Sequence, residues 1–106
     1  MTTDAELVAA KAVAMFSATS ESVLDLLSEY EPPSSMSADR IRLAILKLAD
    51  GDESKLLEKI ELAEIDPRDV VGEAEYPRQM RHPPGMATEE MILADRADYE
   101  AWLSSE

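Results

Sequence analysis

Ile41, Ala44, Ile45 and Leu48 recur at i, i+3, i+4 and i+7, a spacing that lines side chains along one face of an α-helix and not along a strand. Stripes of the same period precede and follow it, each cut short by proline, glycine or a polar cluster. A chain patterned in this way buries its apolar faces by packing short helices against one another. The expectation is an all-α fold: one domain, residues 1–106, folded as a compact bundle of five or six short helices.

The punctuation sets the elements. Between Thr3 and Ser17, Val8, Ala12, Met15 and Phe16 share a broad face with Ala9 and Val13, and Glu6 and Lys11 are expected to point elsewhere. The polar run Ser17 to Ser20 breaks the pattern, and Ser20 is placed to cap a second helix ending at Tyr30, with Val23, Leu24, Leu27 and Tyr30 inward. Residues 31–37 read as a proline-serine turn. Ser37 caps the next helix, with Asp39 in its first turn. Leu43 and Leu46 lie off its main stripe, so this helix is expected to be central. Gly51 supplies a left-handed stop and Asp52 the next N-cap. Leu56, Ile60 and Ala63 form the buried stripe of a helix ending near Ile65. Asp66-Pro67 is the sharpest boundary, because aspartate suits an N-cap and proline the first helical position. Ile65 and Val70 stand at the two positions of a hydrophobic staple. The helix from Pro67 to Tyr76 turns Val70, Val71 and Ala74 inward, and Pro77 ends it. Thr88 caps a last helix, residues 88–104.

The run RIRLAILKLADGDESKLLEKIELAEIDPRDVVGEAEYP, Arg40 to Pro77, resembles small uncharacterised bacterial proteins that pair an LADGD-like helix break with an RDVV..AEYP segment. The resemblance implies a bacterial all-helical module and carries over no activity and no functional residue.

Composition narrows the chemistry. A hydrophobic share of 45% argues for a folded chain despite a formal net charge of −13. With no cysteine there is neither a disulfide framework nor a thiolate metal site. The start MTTDAELVAAK has no basic leader region, and Lys11 interrupts its apolar run, so a cytoplasmic protein without a membrane span is expected. So negative a surface repels phosphate backbones and anionic lipids, which disfavours direct nucleic-acid or membrane binding. His82 is the sole histidine, and "DGDE" at 50–53 places its glycine too early for a calcium loop. No metal or cofactor is therefore expected. Glycines 51, 72 and 85 are isolated, and no nucleophile-elbow pattern occurs. No catalytic residue is assigned, and an enzyme would need a site near His82 that spacing does not reveal.

Three features remain as candidate partner sites. Glu58, Glu61 and Glu64 form an acidic ridge; from Asp50 to Glu75 ten acids face only Lys55, Lys59 and Arg68. Solvation explains such a ridge, and so does a basic protein partner or mimicry of nucleic acid by an inhibitor. Residues 77–87 form a basic, proline-rich island holding Arg78, Arg81 and His82, read either as a linker pinned to the protein's own carboxylates or as a hook for a partner. In the last helix Met91, Ile92, Tyr99, Trp102 and Leu103 share a side with Asp95 in their midst. A buried acid needs a cation, an edge or another chain; Arg78 and Arg81 are the nearest cations in sequence. Docking on its own core is the expected arrangement, with a homodimer through this helix as the alternative. The functional expectation is a non-enzymatic protein-interaction or regulatory module.

Overall fold

The computed structural model describes residues 4–31, 37–81 and 88–104. Most of the predicted turn at 31–37, and His82 with the rest of 82–87, lie outside the described residues. Among the described residues there are seven α-helices, one of them a single turn, and no strand. They are α1 (Asp4–Phe16), α2 (Ser20–Glu29), α3 (Ala38–Ala49), α4 (Glu53–Ile65), α5 (Pro67–Glu75), α6 (Pro77–Met80) and α7 (Glu89–Ser104). This is the expected all-α bundle.

α3 is its centre and packs against α1, α4 and α5. Ile41, Leu43, Ala44, Ile45, Leu46 and Ala49 are all buried on it, so its apolar surface wraps well beyond one stripe. Val8, Ala12 and Phe16 of α1, Val23 and Leu27 of α2, Leu56 and Ala63 of α4, and Val70, Val71 and Ala74 of α5 complete the core. Tyr30 closes one end, its hydroxyl donating to the Ala63 carbonyl at 3.0 Å. Burial and the nearby Glu64 carboxylate push that phenol above its ordinary pKa.

Most predicted boundaries are realised by the expected hydrogen bonds. Ser37 Oγ accepts from the Arg40 amide, Asp52 from Ser54 and Lys55, Asp66 from Asp69 and Thr88 from Met91. The stop after α3 is shared: Asp50 and Gly51 both take positive φ, 49° and 82°, and aspartate tolerates that region better than most side chains.

Four local expectations are corrected. Ser20 is not a cap: it is the first residue of α2, whose N-cap position falls at Thr19 without a side-chain hydrogen bond, after a 3-10 turn over Ser17–Thr19 that opens with Ser17 at φ 43°. Together α1, this turn and α2 form a helical run, Ala5–Glu29, long and apolar enough to cross a membrane by length and composition alone. Here Val8, Ala12, Phe16, Val23 and Leu27 are spent on the protein's own core. Second, Ile65 is 83% exposed while Val70 is buried, so no staple forms. Third, Pro77 ends α5 but opens the single turn α6, since proline is as well suited to start a helix as to stop one. Fourth, the buried face of α1 is turned from the expected one: Lys11 does not point away from the bundle but is 4% exposed, whereas Val13, at 56%, and Ala9 are exposed.

Candidate functional site

Two surfaces gather the candidate residues. The first is the seat of α7. Its only buried residue is Asp95, 1% exposed. Arg78 Nη1 donates to Asp95 Oδ1 at 3.0 Å, and the Arg78 amide donates to the same oxygen at 3.3 Å. The Gln79 amide and side-chain Nε2 donate to Oδ2 at 3.2 and 3.1 Å. Burial alone would raise the Asp95 pKa; the Arg78 and Gln79 hydrogen bonds outweigh it and hold the carboxyl below its ordinary value. Arg78 also pairs with Asp98 at 2.7 Å, and its bonds to Asp98 and Asp95 raise its own pKa.

These bonds follow from how α6 begins. Its N-cap residue, Tyr76, supplies no side-chain hydrogen bond, and the first turn of a helix has amides without intrahelical acceptors. Asp95 fills that role from another helix. α7 is completed in the same manner at its other end, where its last turn holds no basic residue. The Lys11 ammonium donates to the Trp102 carbonyl and lies 4.7 Å from the centre of the Trp102 ring. Burial lowers the Lys11 pKa. Tyr99 stacks on Trp102 at 5.8 Å, with Lys47 of α3 at 6.0 Å from the Tyr99 ring. Arg42 does the corresponding work for α2, donating to the Leu27 and Tyr30 carbonyls at 2.9 and 3.4 Å.

Within this chain Arg78, at the start of the basic island, is thus tied to α7 through Asp95 and Asp98. Arg81 is exposed and forms no ion pair among the described residues. The apolar side predicted for α7 is only partly used: Tyr99, Trp102 and Leu103 are half-buried, whereas Ile92 is exposed.

The second surface is the outer face of α4. Glu58, Glu61 and Glu64 are all exposed, and none is in an ion pair among the described residues. Sequence reasoning missed what stands beside them. Leu57 and Ile65 are 51% and 83% exposed, and with Glu61 between them they follow i, i+4, i+8. At about 100° per residue this line falls opposite the buried Leu56–Ala63 stripe, so the core cannot reach it. A helical projection of residues 53–65 would have revealed it; attention to charge alone did not.

Several cations of the bundle are engaged elsewhere. Lys59 pairs with Glu73 at 3.3 Å, Arg40 with Glu75 at 2.8 Å, and Lys11, Lys47 and Arg78 reach α7. Lys55, which lines a groove together with Glu58, and Arg68 are exposed and form no ion pair among the described residues. This open groove of about 590 Å³ beside α4, lined by Lys55, Lys59, Glu73, Met80 and Arg81 among others, has mixed charge. Among the described residues no group of three acidic or histidine side chains is arranged to hold a metal ion, and no buried side-chain polar atom lacks a partner.

Fold and surface together define a small acidic helical bundle with an apolar-and-acidic outer helix face. No protein-family model, curated protein or solved structure matches the chain.

Proposed function

We propose that this protein is a non-enzymatic interaction module of the bacterial cytoplasm that docks a basic protein partner through the outer face of α4. One observation carries the reading: Leu57 and Ile65 stand exposed in line with Glu61, between Glu58 and Glu64. Solvation accounts for the glutamates but not for two large aliphatic side chains among them. Apolar anchors ringed by charge are the anatomy of a protein-binding patch, in which the anchors give affinity and the charges orientation. A face built to imitate DNA phosphates gains nothing from Ile65, since nucleic-acid-binding surfaces are polar and positively charged.

Capture from a bacterial extract tests this with the intact protein, Glu58→Gln/Glu61→Gln/Glu64→Gln and Leu57→Ser/Ile65→Ser. Both variants are expected to lose the same proteins, and wild-type capture to weaken as salt rises. Retention of the same proteins by both variants would remove α4 from the functional account.

A further inference from the structure

The α4 face also has a spacing, and this deepens the reading just given, on which it rests. We infer that the partner segment is a cationic amphipathic helix with two apolar residues at i and i+7 or i+8 and a lysine or arginine between them. Leu57 and Ile65 are eight residues apart, about 12 Å along the helix axis. A second helix lying nearly parallel or antiparallel to α4 presents apolar side chains at that interval only from positions seven or eight apart. Glu61 lies midway, so the complementary position on the partner is a cation; Glu58 and Glu64 flank the line and favour further cations at the partner's edges.

Other occupants fit less well. An extended segment could span the same two anchors, but its backbone N–H and C=O groups would face side-chain carboxylates and aliphatic carbons, with no strand edge to pair with. A helix arrives with its backbone bonds already made. A second copy of this chain brings a net charge of −13 to a face that is itself acidic. Anionic membranes and nucleic acids are repelled for the same reason.

Three synthetic peptides of identical composition decide the matter, read by titration against the isotopically labelled full chain. One places two leucines at i and i+7 with arginine between them on a helix. The second scrambles the leucine positions. The third keeps the order but moves a proline into the helix centre. The matched peptide is expected to shift the Leu57 and Ile65 methyl signals and to bind about tenfold or more tightly than either control. Ile65→Ser is expected to weaken it by a similar factor, while Glu61→Gln reduces its salt dependence. Equal binding by the scrambled peptide would show that charge alone is read, and equal binding by the proline peptide that no helix is needed; either overturns the inference. Failure of the matched peptide, with host proteins still lost by the α4 variants, would reject the helical partner and leave the docking face standing. Failure of both would reject both.

Discussion

α3 buries six side chains, all of them apolar, whereas α7, which is longer, buries one, and it is an acid. α3 is surrounded by other helices and held by the removal of hydrocarbon from water. α7 lies at the edge, fastened where hydrogen-bonding groups of one helix complete those of another: Asp95 at the start of α6, Lys11 at its own last turn. The first kind of attachment is non-directional and tolerates repacking. The second is directional and depends on a few atoms, so one substitution can undo it while the rest of the bundle stands.

The contrast breaks most visibly at Leu46. Leu46→Ala is expected to destabilise the protein by about 2–5 kcal/mol in denaturant melts, because a fully buried leucine leaves a cavity. A midpoint that barely moves would show that the core around α3 collapses to fill the space. Asp95→Ala comes next, at about 1–3 kcal/mol, the cost of leaving buried donors without an acceptor. Its signature is a pH dependence. Because the folded-state pKa of Asp95 is depressed, its contribution is fully present above the ordinary carboxylate pKa of 3.8 and disappears as pH falls through the lower folded value. The stability gap between wild type and Asp95→Asn should therefore close in acid; a gap that persists there would assign the effect to packing. A local cap supplies the next measure. Asp66→Ala should cost about 0.5–2 kcal/mol in urea melts, and a value matching that of Asp95→Ala would mean that a cap delivered across the fold is worth no more than one from the neighbouring residue. The smallest change belongs to the α4 face. Ile65→Ser should alter stability by no more than about 0.5 kcal/mol, which separates its loss of binding from loss of fold.

The two kinds of attachment also divide what was legible in the sequence. Apolar period and cap residues act over a few positions, so α3, α4 and α5 could be read with their boundaries, as could the cap at Thr88. Asp95 announced its need for a partner by standing inside an apolar stripe, and Arg78 was a candidate by proximity. That the Arg78 and Gln79 amides would join was hidden, because it depends on a helical turn after Pro77 that local preference did not demand. Lys11 was misread altogether: its partner, Trp102, is 91 positions away, and nothing near Lys11 hints at it. Ile65 was misread for the converse reason. Its position satisfied the pattern of a staple, but the bend between α4 and α5 turns it from Val70 toward solvent.

The carboxylate of Asp95 also makes the backbone of α6 a reporter on α7. Amide protons in an isolated single turn exchange with solvent almost freely, so protection at Arg78 and Gln79 measures how often α7 is seated. Those two sites should exchange together and lose protection together in Asp95→Ala, while amides of α3 keep theirs. Seating and release of the last helix thus become a local equilibrium that can be followed without unfolding the bundle.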